Sequence, residues 1–411
     1  MNTHQHRTLG AFEKAFWLLD QVDSKDFALA AEVEGTATAG EWQAAVNALQ
    51  QRHPNLCVRI TVDAYNRPVF TPVPGKAIPF RVVDAAEHYR WEQEVETELA
   101  TRFNTAEGPL LRAVIVRKPA GTVIILVSHH AIADGTSLAY LMRDVLQAVT
   151  GKTLSAMPAA VSNDELLGMP EDSVGDIAKQ ALVFETPVAV VPHVDKIQLS
   201  QQLTEKLVKR SREEATTVHG ALCAAVLMAG RKLDNTWKDE RIEMISPVCA
   251  RRALKIGDEC NLNITTHPVY FEPGQVMSFW ELARFAKAGL EGVRSVEHVR
   301  GYLNFFRELT FNGKDIATML EPMKAAFNHQ VMITNLGRIK YDTDFGAMQL
   351  KALWGPMVLS GKGKEQTIGA NASNGSICLT NTSQTPLPSL FKLVEQLLEV
   401  ACDVPVLGTV L

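Results

Sequence analysis

A chain of 411 residues with a formal net charge of −5 is long for a single hydrophobic core, and its charge argues against a nucleic-acid partner. Its 46% hydrophobic and 21% charged residues are an ordinary globular composition, which excludes general disorder. Six scattered cysteines without CxxC spacing argue against a disulfide frame or zinc site, no apolar run approaches membrane-spanning length, and residues 1–7 lack the apolar stretch of a signal peptide, so a cytoplasmic protein is expected.

The first apolar segment, residues 9–20 with Phe12, Phe16, Trp17, Leu18 and Leu19, suits a strand or a helix. Residues 27–35 read as a strand ended by glycine. From Thr38, the spacing of Trp42, Ala45, Val46 and Leu49 predicts a helix that Pro54 stops. Residues 57–60, 69–70 and 80–83 read as strands, and 91–103 as a helix. Gly108-Pro109 leads into a strand at 113–116, and Pro119-Ala120-Gly121 turns it back as a hairpin into the apolar run 123–127, a buried strand.

Ser128-His129-His130-Ala131-Ile132-Ala133-Asp134-Gly135 follows that run, and Leu138, Leu141, Met142, Val145 and Leu146 then keep the spacing of one helix face. A strand end aims a side chain rigidly, and the loop beyond it leaves room for a substrate. Three readings meet at the histidines: a metal site, two hydrogen-bonded core residues, or one catalytic base with a packed partner. Alternation along a strand sends His129 and His130 to opposite sides, which disfavours a shared ion. Asp134 and Gly135 at a fixed offset favour the base and its partner.

All seven positions from His129 to Gly135 match the HHxxxDG motif, so the segment resembles the condensation-domain and acyltransferase superfamily. That group includes nonribosomal peptide condensation domains, plant BAHD acyltransferases and wax-ester synthases; the chain is most similar to stand-alone polyketide-associated or alcohol O-acyltransferases. The resemblance implies an α/β fold of two chloramphenicol-acetyltransferase-like lobes, a pseudodimer with an active-site tunnel between them. It implies that His130 is the base and that His129, Asp134 and Gly135 are structural. The related HxxxDG of dihydrolipoyl acyltransferases lies near the C-terminus, whereas here most of the chain follows the motif. Arg52-His53-Pro54-Asn55-Leu56 resembles the RHxxLR motif of condensation domains in part, and a solvated helix end is the alternative.

Residues 150–194 carry Pro158, Pro170, Pro187 and Pro192 with little periodicity, and read as the crossover between an N-terminal lobe, 1–175, and a C-terminal lobe, 176–411. Residues 197–199 resume as a strand. Ser200 or Thr204 can cap the helix containing Leu207, and 218–233 reads as a buried helix, with His219 capping or packing at its start. A strand at 242–248 ends in Cys249-Ala250-Arg251-Arg252. In the superfamily an arginine after this strand bonds the motif aspartate, and Arg251 fits that position; a solvated basic turn is the alternative. An arginine can offer a buried carboxylate a bidentate pair. Residues 257–263 resemble a condensation-domain segment but lack its later arginine. A helix is predicted over 279–296, and 331–339 is a strand into a turn similar to the S/T-N-x-G turn of these enzymes. Asp344-Phe345-Gly346 matches only the start of the BAHD DFGWG motif. A strand at 354–360 leads into Gly361-Lys362-Gly363-Lys364, an exposed loop without Walker A spacing; a strand at 376–380 and an amphipathic helix at 390–401 close the chain.

The resemblance implies acyl transfer from a thioester to a hydroxyl acceptor, with His130 as general base. Amide formation on an amine, and a catalytically silent docking domain, are the alternatives. Acyl-CoA or an acyl or peptidyl carrier protein is the expected donor. Coenzyme A or phosphopantetheine is thus a co-substrate, with no bound cofactor, and a small alcohol or amine is the acceptor. Asn335 and Ser383 are candidate oxyanion or substrate contacts, and Lys362 and Lys364 candidate partners for the donor's phosphates. No GxSxG elbow or Cys–His pair offers a covalent nucleophile. A monomer in secondary metabolism, lipid or polyketide biosynthesis, is expected.

Overall fold

The computed structural model describes residues 6–65, 67–170, 190–310, 319, 321–323, 325, 329–359 and 363–403. A five-stranded sheet has the order Gln349–Val358, Asp26–Glu34, Gly121–His129, Leu111–Lys118, Phe80–Asp84. Its central member is the histidine strand, whose apolar run is covered on both faces and wholly buried. The helices Ala39–Arg52 and Gly135–Val149 turn their apolar faces onto this sheet's core. The first begins with a reciprocal cap: Thr38 Oγ1 accepts the Glu41 N–H at 3.2 Å, and the Glu41 carboxylate accepts the Thr38 N–H at 2.7 Å.

A six-stranded sheet has the order Ile264–Phe271, Ile242–Cys249, Val331–Arg338, Gln366–Ser373, Ser376–Ser383, His193–Gln198. The apolar helix Val218–Leu233 lies in its core together with Phe279–Ala288 and Leu390–Asp403. These are the two lobes. A small ribbon of Arg7–Thr8, Pro68–Pro72 and Val58–Val62 stands apart from both sheets.

Chain order does not divide the lobes cleanly. Gln349–Val358 belongs to the C-terminal half of the sequence, yet it pairs antiparallel with Asp26–Glu34 at the edge of the first sheet. The expected boundary at residue 175 lies outside the described residues. Gln349–Val358 also lies close over the second sheet, where a Cβ on Gly369 would meet the Pro356 carbonyl oxygen at 2.2 Å. At the N-terminus, residues 9–20 resolve as the helix Ala11–Asp20. It packs on Val296–Thr310 through Phe12, Phe16, Leu303 and Phe306, with the Phe12 and Phe306 rings 4.9 Å apart.

The helix predicted over 279–296 is two helices, Phe279–Ala288 and Val296–Thr310, separated by a turn in which Gly292 takes a φ of +80°. Arg52 and His53 are not a solvated helix end. Arg52 Nε and His53 Nε2 reach Asp144 Oδ2 at 2.7 and 2.8 Å, and His53 is buried, so the pair ties the first helix to the one after the motif. Of the proline-rich crossover, residues 171–189 lie outside the described residues. Among the described residues no helix is long and apolar enough to cross a membrane.

Candidate active site

The backbone of the motif explains the fate of each histidine. His130 N–H donates to the Lys25 carbonyl at 3.0 Å as the chain leaves the sheet. His129 is still in the strand, opposite Asp26 in the register. Nδ1 of His129 accepts the Ala131 N–H at 3.0 Å, so that nitrogen holds a lone pair and the neutral ring carries its proton on Nε2. Nε2 lies 3.5 Å from Asp20 Oδ2, longer than a good hydrogen bond. Asp20, Asp26 and His129 form a buried cluster of the kind that could hold a metal. An ion would need a lone pair on Nε2 too, and with Nδ1 already accepting a proton donor that ring would have to be an imidazolate. The cluster is better satisfied by protons.

Electrostatics in this cluster oppose one another. Burial alone would lower the His129 imidazole, but the Asp20 carboxylate raises it on balance. Burial would likewise raise Asp20, yet His129, the Lys25 N–H and Arg102 hold it below its ordinary value. Asp26 has Ser24 Oγ 2.9 Å from one oxygen and no partner for the other; burial and the Asp20 charge push it up to about 7.

His130 has a different environment. Its ring is sandwiched between Phe27, with centroids 4.0 Å apart, and Phe16, at 4.6 Å. Nδ1 lies 3.2 Å from the Ala133 carbonyl oxygen. A carbonyl only accepts, so Nδ1 carries the proton and Nε2 keeps its lone pair. Burial pushes the imidazole down to about 3, so the ring is neutral around pH 7. His130 lines a cavity of about 80 Å³ between the lobes, with Phe16 and Phe27 on one side and Ile245, Pro247 and Met332 on the other.

Asp134 and Gly135 build the loop. Asp134 caps the helix Gly135–Val149 by accepting the Ser137 N–H at 2.7 Å, and it also accepts the Asn263 N–H at 2.8 Å. Arg251 Nη1 donates to both Asp134 oxygens, at 2.9 and 2.8 Å. The predicted two-nitrogen fork is replaced by one shared nitrogen, because Nη2 is engaged with Ser137 Oγ at 2.7 Å and the Glu259 carbonyl at 3.1 Å. Asp134 is fully buried and Arg251 nearly so, which rules out a solvated basic turn; Arg252 is exposed. Asn261 N–H reaches Ser137 Oγ at 3.1 Å, so residues 259–263 wrap the motif loop through backbone groups and need no further arginine there. A Cβ on Gly135 would lie 2.5 Å from Pro356 Cγ, which is why the crossing strand requires glycine at this point.

Comparison with known proteins follows the same division. A Condensation domain model matches residues 17–160, and a Phthiocerol/phthiodiolone dimycocerosyl transferase C-terminus model matches residues 189–256. Polyketide synthase associated protein 5 from Mycobacterium tuberculosis superposes with a TM-score of 0.66 at 17% identity, over 97% of this chain and 98% of that one. The first condensation domain of the CDA synthetase superposes with a TM-score of 0.67 at 16% identity, over 98% and 97%. The chain has the condensation-domain fold. Among sequences, Bacitracin synthase 2 of Bacillus licheniformis is 23% identical over 310 residues, 67% of this chain and 11% of that protein. Tyrocidine synthase 3 of Brevibacillus parabrevis is 28% identical over 125 residues, 30% of this chain and 2% of that protein. The chain thus spans only a small part of the length of these relatives.

The remaining candidate site residues divide. Asn335 lines the His130 cavity; its Oδ1 accepts the Gly337 N–H at 2.8 Å, and its Nδ2 makes no hydrogen bond among the described residues. Ser383 is a correction. It does not line the cavity, and its hydroxyl is consumed by structure: it donates to the Glu365 carbonyl at 2.7 Å and accepts from Gln366 Nε2 at 3.0 Å and the Thr385 N–H at 3.1 Å. Lys362 lies outside the described residues; Lys364 is exposed in the loop after Gln349–Val358 and does not line the cavity. Sequence reasoning missed Cys249, an exposed residue of the cavity wall, and the Asp20–Asp26 pair behind His129. His219 Nε2 meets Ser246 Oγ at 2.9 Å, a packing contact outside the His130 cavity.

Proposed function

We propose that the chain transfers an acyl group from a thioester, on coenzyme A or a carrier-protein phosphopantetheine arm, to a hydroxyl acceptor. One observation carries this reading: the Ala133 carbonyl fixes the proton of His130 on Nδ1, which leaves the Nε2 lone pair at the cavity. The acceptor oxygen attacks the thioester carbonyl and yields its proton to Nε2; the C–S bond then breaks, and the leaving sulfur takes that proton back. A base of such low pKa is weak in the resting enzyme. The faces of Phe16 and Phe27 and the Ala133 carbonyl offset only part of what burial costs the imidazolium that forms. The free Nδ2 of Asn335 is the donor best placed to stabilise the oxyanion.

The match to a dimycocerosyl transferase C-terminus supports transfer chemistry. The match to a Condensation domain, a class that includes nonribosomal peptide condensation domains, favours a second reading, amide formation on a carrier-bound amine. Thioester consumption measured against pools of alcohols and amines tests both. The expected result is acceptor-dependent consumption with sequential kinetics, lost in His130→Ala. Equal rates for His130→Ala and wild type would sink the mechanism. Parallel lines in a two-substrate plot, with an acyl group isolated on Cys249, would replace it by covalent catalysis.

A further inference from the structure

Beside the His130 cavity opens a second, wider one of about 540 Å³. Thr136, Pro247, Cys249, Asn335 and Leu336 belong to both walls, so the wider space is the vestibule of the narrower. Arg252, Arg294, Arg338 and Lys340 line this vestibule. All four are exposed, none pairs with a carboxylate among the described residues, and no Asp or Glu lies in the wall. Arg251 also touches it but is committed to Asp134. Thr217 and Val218 add the start of the helix Val218–Leu233, the end of its dipole that carries partial positive charge.

The charge is specific to this opening. The neighbouring groove of about 950 Å³ mixes Lys209, Arg212 and Arg338 with Glu205, Glu213 and Asp342. Four like charges around one concavity repel one another until an anion arrives, and such a concavity concentrates anions from solution. The wall also holds apolar residues such as Val218, Leu290 and Ile339, so an arm with an uncharged stem fits beside the cations, and a phosphate meets donors from three separate segments.

Resting on the acyl-transfer reading, we propose that the vestibule binds the phosphate of a phosphopantetheine-bearing thioester, with the pantetheine arm passing Cys249 and Asn335 toward His130. Arg252, Arg294, Arg338 and Lys340 thereby take the role expected of Lys362 and Lys364. The chemistry is shared by coenzyme A and by a carrier-protein arm, because both carry that phosphate.

Calorimetric titration of the full chain with pantetheine, 4′-phosphopantetheine and coenzyme A tests the site without any need for turnover. Phosphopantetheine is expected to bind about tenfold more tightly than pantetheine, a gain in keeping with exposed charge pairs and one that fades at high salt. The gain is expected to vanish in Arg294→Gln/Arg338→Gln and in Arg252→Gln/Lys340→Gln. Coenzyme A binding more tightly than phosphopantetheine marks the free cofactor as donor; equal binding marks a carrier-borne arm. Equal affinity for pantetheine and phosphopantetheine, or a phosphate gain unchanged in both double variants, overturns the proposal. Phosphate-dependent binding without acyl transfer would remove the catalytic reading and keep the site. Acyl transfer without phosphate preference would do the reverse.

Discussion

His129 and His130 are adjacent in the chain and present opposite hydrogen-bonding states of the same ring atom. Nδ1 of His129 accepts from the Ala131 N–H, and Nδ1 of His130 donates to the Ala133 carbonyl. The backbone of one tight loop thus directs a proton toward Asp20 on one side and a lone pair toward the cavity on the other.

The rate should follow that arrangement. His130→Ala is expected to lower acyl transfer by roughly 10²–10⁴-fold. Because burial holds His130 at about 3, kcat/KM should show no acid limb near pH 6.5. A pH profile of wild type decides this; an acid limb near 6.5 that disappears in the variant would contradict the buried base.

Stability should depend on Asp26 in the opposite sense to ordinary carboxylates. Its folded value of about 7 lies above the unfolded 3.8, so its contribution is complete below pH 3.8 and is lost as pH rises through 7. Asp26→Asn, which cannot ionise, is expected to match wild type near pH 4 and to be the more stable protein at pH 8. Urea midpoints at the two pH values measure it. A variant less stable than wild type at pH 8 would mean that the ionised carboxylate is needed.

Removing either partner of the Asp134–Arg251 contact leaves the other buried and uncompensated, at a typical cost of about 3–5 kcal/mol. Asp134→Asn and Arg251→Ala should each fall toward that range, and the double variant should lose much less than their sum. Denaturant unfolding of all three measures the coupling. Strictly additive losses would deny it. Arg252→Ala, at an exposed position, should change stability by no more than about 0.5 kcal/mol.

Gly135→Ala tests the close crossing of Gln349–Val358 over the motif loop. The added carbon meets Pro356 at 2.5 Å and Leu336 at 3.1 Å, and a core overpacked in this way loses about 1–3 kcal/mol. Activity should fall with stability, since the loop and His130 share one backbone. An unchanged melting temperature would show that Pro356 yields freely.

The histidine strand and the helix after it were legible because an unbroken apolar run and a 3.6-residue period are local signals. Arg251 was reachable only through the resemblance of its segment, since 117 residues separate it from Asp134. Three strands escaped, one of them the two-residue Arg7–Thr8. Ile264–Phe271 carries Pro268, which reads as a breaker, but it lies at a sheet edge where a missing N–H is tolerated. Gln366–Ser373 is built from small and polar residues and has no apolar run, although every residue except Ala372 is buried. Ser383 failed as a site residue because a strand-end serine can be consumed by the turns beside it, which spacing does not reveal. Asp20 and Asp26 gave no signal, since their meeting with His129 is made by the turn between a helix and a strand.

The borrowed strand joins the C-terminal half of the sequence to the first sheet. Gln349–Val358 closes the edge of Asp26–Glu34, which in turn pairs with the histidine strand. A fragment ending at residue 175 would present that edge unpaired to any other chain, an invitation to strand exchange and aggregation. Melting of the second half would therefore reach the histidine strand through a single hydrogen-bonded neighbour. The halves of this protein are divided by sequence number and share one sheet.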